Sequence, residues 1–420
     1  MWKNNGMDRK YEAIDRVIEV ALCLYLFLLL FTKGEGIKNM LLFGSFILWL
    51  GTLRYRKNLH VLKDPVAMLG CAFIASAVIS SIFSVDIRYS LKDLKDDILK
   101  SLVLFPVIAT VFLDRKRLVR AMYSMFLGLV CVVLIGYYSY FTHDIPMMRP
   151  HVPILTLWHN KFARYLNTYL PFAFVLFFAV EKKWQKAVLI LALVASVVAL
   201  ILTTSRGAYL AFFGIASVWL GFLARTRTYD MKKVVAWSLV SAVLLFTLSW
   251  SFSPHLRERM MNLPKDLMTF NLRTEAWTAG LAAFRERPVL GWGYGDGIFH
   301  RDEPYAETIY KKAPSIGPHS TFLRVLFHQG LMGIISYVTL IAVAIYVLFR
   351  TLPKASGVRE KILVASLSVL VGNYVLHSLF ESLPLSHLAI VLGLSNAARM
   401  SHEDNHTEDA SGSSPQQAAG

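Results

Sequence analysis

An arginine interrupts a long apolar stretch of the sequence. In LILTTSRGAYLAFF, residues 200–213, Arg206 is the one charged residue. The apolar run around it extends from Ala187 to Leu223 and is 37 residues long. As a single helix it would measure about 55 Å, well beyond a hydrocarbon core of about 30 Å. The sequence therefore predicts two membrane spans that meet near TTSRG, with Arg206 at a membrane surface.

A second arginine begins a helical pattern in NLRTEAWTAGLAAFRERP, residues 271–288. Apolar residues follow Arg273 with helical spacing, at Trp277, Leu281 and Phe284. This spacing places Arg273 on the apolar face, which we expect to pack on the membrane domain. Its guanidinium either snorkels to water from the end of the helix or points into a cavity that holds an anion.

A histidine opens the next amphipathic pattern, in GPHSTFLRVLFHQGLMG, residues 317–333. Pro318 suits the first turn of a helix. His319 shares one face with the apolar residues three, four and seven positions further on. A helix N-terminus disfavours an imidazolium, so we expect His319 to be neutral and able to accept a proton. The alternative is that it only packs against its neighbours.

These three residues together predict a definite chemistry. Guanidinium groups pair bidentately with phosphate oxygens and stay charged, so Arg206 and Arg273 are predicted to bind a diphosphate. A neutral His319 is predicted to be the general base for a hydroxyl. The combination describes displacement of a lipid diphosphate by a sugar hydroxyl, with the arginines stabilising charge on the leaving group. No cofactor and no metal is predicted, since the acidic KDLKDD, residues 92–97, is interleaved with lysines and is interpreted as a solvated face.

A further polar group lies where another span begins, in LWHNKFARYLNTYLP, residues 157–171. It consists of His159, Asn160, Lys161 and Arg164. These side chains either anchor the helix among lipid headgroups or line the same cavity as Arg206. They are candidate substrate-binding residues.

Two other features of the long loop region have weaker implications. GWGYGDG, residues 291–297, lacks the preceding strand and the spacing of a dinucleotide fingerprint. It is either a flexible turn near a ligand or a tight loop. His328 falls on a different helical face from His319, and we expect it to be structural.

The composition identifies the elements that must position these residues. The chain has 420 residues, of which 55% are hydrophobic, and it repeats apolar runs of span length. Its formal charge of +16 is attributed to basic loops rather than to a nucleic-acid partner. The three cysteines lie within apolar runs and lack metal-ligand spacing. The prediction is an all-α polytopic membrane protein with spans near 17–33, 37–53, 66–84, 97–113, 119–140, 163–180, 186–204, 207–224, 233–252, 331–349, 361–380 and 384–399.

The charged loops predict the orientation. Short basic loops follow the even-numbered spans, at 54–57, 114–120, 181–186, 225–233 and 350–361. By the positive-inside rule these loops and both termini are cytoplasmic, and the long loop lies on the opposite, outer side together with Arg206. The predicted divisions are a membrane domain (1–252), a large outer loop with amphipathic helices (253–318), a second membrane part (319–400) and a disordered tail (401–420).

At these residues the chain resembles the O-antigen ligase and polymerase family of bacterial envelope glycosyltransferases. The matching pieces are LTTSRGAYLAF (202–212), RTEAWTAGLAAFRERPVLGWGYG (273–295) and HSTFLRVLFHQGLMG (319–333). The resemblance covers residues 150–335, and elsewhere it extends only to topology. The ligase pattern often has Asn after the histidine, where this chain has Ser320.

The resemblance implies a GT-C-like, metal-independent, inverting glycosyltransferase of the bacterial inner membrane with a periplasmic active site. Its donor would be a glycan on undecaprenyl diphosphate, and its acceptor the lipid A–core. Arg206 and Arg273 match the diphosphate-binding arginines of the family, and His319 matches its proposed base.

Two other functions were weighed. An O-antigen polymerase would use the same chemistry with a lipid-linked repeat unit as acceptor, but polymerases more often have two large outer loops. A membrane transporter would use the polar Asn373 and His377 as part of a pathway. Transport predicts charges distributed through the spans, whereas the polar groups here gather at one surface.

Overall fold

The computed structural model of the protein is built of α-helices, as the sequence predicts. It describes residues 4–56, 59–143, 145–226, 230–262, 273–295, 298 and 319–412. We number the helices of these ranges in chain order as α1 (Asn4–Leu28), α2 (Glu35–Thr52), α3 (Pro65–Ile82), α4 (Ile87–Val111), α5 (Arg115–Thr142), α6 (His159–Ala179), α7 (Lys183–Leu202), α8 (Arg206–Thr226), α9 (Met231–Phe252), α10 (Pro254–Met261), α11 (Arg273–Glu286), α12 (Thr321–Thr351), α13 (Gly357–Val369) and α14 (Leu385–Gly412). A short hairpin, β1 (His151–Val152) and β2 (Leu155–Thr156), precedes α6.

Each predicted span overlaps a helix. Within the described ranges, nine helical stretches are long and apolar enough to cross a membrane, and they correspond to α2, α3, α5 to α9, α12 and α13. The other three predicted spans overlap α1, α4 and α14, which carry charged residues over part of their length. Helix α14 extends to Gly412, although the sequence predicts disorder from residue 401. The division into domains stays a prediction.

Side-chain caps set several helix starts. Asp64, Asp86, Asp114 and Asp230 accept hydrogen bonds from the first-turn amides of α3, α4, α5 and α9. Ser253 does the same for α10. Such caps satisfy amides that have no partner inside the helix and are worth about 1 kcal/mol each. The polar residues between apolar runs therefore fix where the helices begin.

The core joins the two ends of the chain. The C-terminal helix α14 packs along α4, α12 packs along α3, and α13 lies against α6. Tyr169, Tyr337 and Tyr374 are among the largest fully buried side chains of this core. The core is therefore assembled from helices far apart in sequence.

Two breaks in the last helices shape the predicted outer end of the bundle. Gly330 has φ 60 and ψ −154, so α12 consists of a short first part and a long second part across a kink. The kink lies where the sequence predicts that the amphipathic segment gives way to a span. After α13 the chain continues through a π-helix (Leu370–Leu376) and a 3-10 turn (His377–Leu379) before α14 begins. The segment Phe380–Pro384 connects the 3-10 turn to α14, and we call its first four residues, Phe380–Leu383, the connection.

Arginines at the predicted cytoplasmic end pair with carboxylates. Arg56 Nη2 lies 2.5 Å from Asp15 Oδ1, and Arg117 lies 3.5 Å from both Asp15 and Glu19. Glu19, which is 3% exposed, also accepts from Arg120. A carboxylate within the first predicted span is thus explained by the basic loop beside it.

Candidate active site

Arg206 is the first residue of α8. Helix α7 ends at Leu202, so the long apolar run folds into two helices that meet at TTSRG, as predicted. The turn between them is buried, and Thr204 has a φ of 54, which is uncommon for a β-branched residue. The amide of Ser205 donates to Thr203 Oγ1 at 3.4 Å. A strained and buried turn therefore fixes the backbone that carries Arg206.

The first turn of α8 is in close contact with the connection before α14. A Cβ added at Gly207 would lie 3.2 Å from His377 Cδ2 and 3.2 Å from Phe380 Cβ. Glycine at this position allows the approach. On the opposite side, Asn167 Nδ2 donates to the Ala208 carbonyl at 2.8 Å. The helix end that presents Arg206 is held between α6 and the connection.

Arg273 is the first residue of α11, and its backbone position is all that the structure describes. One turn further on, the ring of Trp277 lies 6.4 Å from that of Phe380. The predicted packing face is wrong in detail, because Leu281 is 42% exposed. The buried face consists of Ala276, Ala279 and Ala283, whose small side chains let the helix approach Phe327 of α12.

His319 lies just before α12 rather than inside it. The prediction that His319 begins the helix is wrong: Ser320 is the N-cap, accepting from the Leu323 amide at 3.4 Å, and the helix starts at Thr321. His319 is half-buried and has a φ of 43, the second of two non-glycine residues with positive φ in the described ranges. Such a conformation costs about 1–3 kcal/mol and is concentrated at functional sites.

Ser and Asn are comparably good N-caps. The departure at Ser320 from the Asn that the ligase pattern often has therefore keeps the cap of α12 intact.

The four polar residues at the start of α6 divide into two kinds. Lys161 is exposed, and His159 and Asn160 are half-buried. Arg164 is 8% exposed; its Nη1 donates to the Ser382 carbonyl and its Nε is buried with no hydrogen-bond partner. Among the described residues no carboxylate pairs with it, and a buried guanidinium without a counter-ion is unfavourable. Of these four residues, Arg164 is the one that faces the interior.

The same short connection meets all of these elements. Ser382 contacts Arg164 of α6, and Phe380 contacts Gly207 of α8 and Trp277 of α11. Glu381 and Leu383 bond to Thr321, two residues after His319. The segment Phe380–Leu383 thus brings together the backbone segments that carry Arg164, Arg206, Arg273 and His319.

Sequence reasoning did not assign a role to this connection. Its one signal was Pro384, which ends a helical pattern before a new apolar run. Asn373 and His377 are buried, and Asn373 Nδ2 donates to Thr168 Oγ1 at 2.8 Å. This bond joins the π-helix Leu370–Leu376 to α6, so Asn373 has a structural role beside the connection.

The glycine-rich stretch is a tight loop, which decides between its two interpretations. Gly293 has a φ of 113, and a Cβ there would lie 2.0 Å from Ser84 Oγ. His328 is 2% exposed, and its Nδ1 lies 3.0 Å from the Gly295 amide and 2.7 Å from the Gly293 carbonyl. The structural role expected for His328 is confirmed by these contacts. Gly297 lies outside the described residues.

The acidic stretch at 92–97 is only partly a solvated face. Asp97 Oδ2 accepts from the Tyr294 hydroxyl at 3.2 Å and lies 3.8 Å from Arg324. Asp93 accepts from the Tyr89 hydroxyl at 3.0 Å and lies against Gly295. These carboxylates hold the glycine loop and α12 against α4.

One histidine outside the spans has a perturbed proton affinity. Burial lowers the pKa of His255 in α10, the positive charge of Arg259 lowers it further, and Glu258 opposes the change. The lowered pKa favours the neutral form of His255.

Comparisons with known proteins agree with the predicted resemblance. Residues 191–338 match the family model described as O-antigen ligase. The chain is 23% identical over 356 residues to the O-antigen ligase of Salmonella typhimurium, covering 80% of this chain and 82% of that protein. It is also 21% identical over 332 residues to the Teichuronic acid biosynthesis protein TuaE of Bacillus subtilis, covering 72% of this chain and 66% of that protein. The matched region contains Arg206, Arg273 and His319.

Proposed function

We propose that this membrane protein is an O-antigen ligase, because residues 191–338 match the family model described as O-antigen ligase. It transfers a glycan from undecaprenyl diphosphate to a hydroxyl of the lipid A–core. The reaction takes place at the periplasmic face of the bacterial inner membrane, with both termini in the cytoplasm. No cofactor enters the proposal.

One observation supports this assignment most strongly. The connection Phe380–Leu383 contacts elements that carry Arg164, Arg206, Arg273 and His319, at one end of the bundle. A hydroxyl that displaces a diphosphate from the anomeric carbon of a sugar needs both arginine forks and a base within reach of one reaction centre. The second chemical argument is Arg164, a buried cation with a carbonyl as its hydrogen-bond acceptor.

The proposed reaction is a direct displacement. The acceptor oxygen forms a bond to the anomeric carbon as the bond from that carbon to the diphosphate oxygen breaks, so the configuration inverts. His319 takes the proton of the acceptor hydroxyl, a role worth about 10²–10⁴-fold in rate. Arg206 and Arg273, with Arg164 beside them, stabilise the negative charge on the leaving diphosphate. His159, Asn160 and Lys161 are proposed to contact headgroups at the rim.

The test replaces the base. His319→Ala should abolish glycan transfer, because it removes the proposed acceptor of the proton, while membrane insertion and melting temperature stay as in the wild type. The measurement is transfer from a lipid-linked glycan to lipid A–core by the purified enzyme in detergent. His143→Ala, which removes an exposed outer histidine, is the control. Transfer retained by His319→Ala would overturn the assignment of the base.

A deletion separates the ligase from its nearest rival. Loss of the whole surface ladder, with glycan accumulating on the lipid carrier, is the expected result for a ligase. A core that carries a single repeat would instead identify an O-antigen polymerase with a lipid-linked acceptor. The predicted layout of twelve spans with one dominant outer loop supports the ligase over the polymerase.

A further inference from the structure

Thr321 has an unusual role for the first residue of a helix. Its hydroxyl donates to the Glu381 carbonyl at 3.0 Å and accepts from the Leu383 amide at 3.0 Å. The cap of α12 is supplied by Ser320, so the Thr321 hydroxyl is not needed for its own helix. Both of its bonds go instead to a segment about 60 residues further along the chain.

These hydrogen bonds link two parts of the candidate site. Arg164 Nη1 donates to the carbonyl of Ser382, which lies between the two residues that Thr321 holds. Thr321 and Leu383 are each 4% exposed, so water does not compete for the two bonds. Through three consecutive residues, the start of α6 is tied to the residue two positions after His319.

The backbone at His319 needs such support. Its φ of 43 lies in a region that non-glycine residues adopt only where the surroundings determine it. Ser320 fixes the chain to α12, and Thr321 fixes it to the connection before α14. A histidine held in this way has little freedom to leave its position.

We propose that Thr321 is a positioning residue for glycan transfer. Its hydroxyl holds the backbone of His319 at a fixed spacing from the arginine side of the site, through Glu381, Ser382 and Leu383. The inference rests on the proposed function, and it adds a residue that touches neither the donor nor the acceptor. Loss of the hydroxyl then affects the rate of the chemical step and leaves donor binding in place.

The test compares two replacements at one position. Thr321→Val keeps the shape and removes both hydrogen bonds, whereas Thr321→Ser keeps the hydroxyl. We expect Thr321→Val to lower kcat by about ten- to hundredfold with the KM for the lipid-linked donor within about twofold, since small misplacement of a catalytic group has effects of this size. Thr321→Ser should restore most of kcat. The measurements are steady-state transfer kinetics and thermal melting of the purified enzyme.

A matched control separates positioning from loss of a buried hydroxyl. Thr110 is 2% exposed, and its hydroxyl accepts from Trp49 Nε1 at 2.7 Å and donates to the Pro106 carbonyl at 2.7 Å, within the predicted fourth span. Thr110→Val should leave kcat unchanged. If Thr321→Val does not fold, the comparison of Thr321→Ser with Thr321→Ala takes its place.

The outcomes distinguish this inference from the proposed function. Full kcat in Thr321→Val, or equal kcat in the valine and serine variants, would overturn the role of Thr321 while wild-type transfer and its loss in His319→Ala still stand. Transfer by His319→Ala would instead overturn the proposed function itself. A fall in kcat that Thr110→Val shares would reduce the effect to stability and would also overturn the inference.

Discussion

Buried arginines at the two ends of the helical bundle have different hydrogen-bond partners. At the predicted cytoplasmic end, the side chain of Arg56 is 5% exposed and lies 2.5 Å from Asp15, and Arg399 pairs with Asp64. At the predicted outer end, Arg164 is similarly buried, yet its hydrogen-bond acceptor is the Ser382 carbonyl. A guanidinium that is paired with a carboxylate has its charge neutralised, whereas the charge of Arg164 can still pair with an anion. The difference teaches that pairing, more than burial, separates structural arginines from candidate ligand-binding ones.

Among the arginine substitutions, the largest effect is expected at Arg206. Arg206→Lys should lose most glycan transfer, about 100-fold, because a point charge cannot replace a bidentate fork on a diphosphate. Transfer kinetics of the purified variant provide the measurement. Arg350→Lys, at an exposed position on a predicted cytoplasmic loop, should be as active as the wild type. Near-normal transfer by Arg206→Lys would show that the diphosphate role is wrong.

A matched pair of substitutions tests the comparison itself. Arg164→Gln should lower transfer by about tenfold or more, since a hydrogen bond between charged groups is worth about 1.5–3 kcal/mol. It should not lower the melting temperature, because it removes a buried charge that has no counter-ion. Arg56→Gln should do the reverse: it leaves Asp15 without its closest partner, which lowers stability, and transfer per folded molecule stays normal.

Thermal melting and transfer, measured on both variants, give a two-by-two comparison. Destabilisation by Arg164→Gln equal to that by Arg56→Gln would make both arginines structural and would remove the distinction between the two ends.

The smallest effect concerns pH. The pKa of His255 is lowered from its ordinary value of 6.5, so below that pH the unfolded chain binds the proton more readily than the folded one. Stability should therefore fall as pH decreases through 6.5 and should not change above it. His255→Gln should have a flatter melting profile between pH 7 and pH 5, roughly the range in which the unperturbed group titrates. An unchanged slope would contradict the assignment.

Much of the fold could be predicted because the membrane constrains it. Apolar runs of span length and the break at TTSRG gave helix positions to within a few residues in α7 and α8. Periodicity was less reliable in α11, where the exposed Leu281 looked like a packing residue and three alanines formed the buried face. Close helix packing favours small side chains, which a hydrophobic pattern underweights.

The candidate site was predictable by residue type more than by geometry. Charge and helical spacing drew attention to Arg206, Arg273 and His319, and the match over residues 191–338 includes all three. The role of the connection Phe380–Leu383 could not be predicted, because its contacts are made largely by backbone carbonyls and amides. Backbone groups are common to every residue, so no local sequence pattern marks them. The positive φ of His319 is also a property of the backbone, and the residue type does not indicate it.

The most direct test of the account measures donor binding apart from chemistry. Purified enzyme in detergent is titrated with undecaprenyl diphosphate, and the affinity is compared among wild type, His319→Ala and Arg206→Ala. The account predicts equal affinity for wild type and His319→Ala, and at least about tenfold weaker binding for Arg206→Ala, since a charged hydrogen bond is lost. Wild-type affinity in Arg206→Ala would contradict the claim that arginines at the outer end hold the diphosphate.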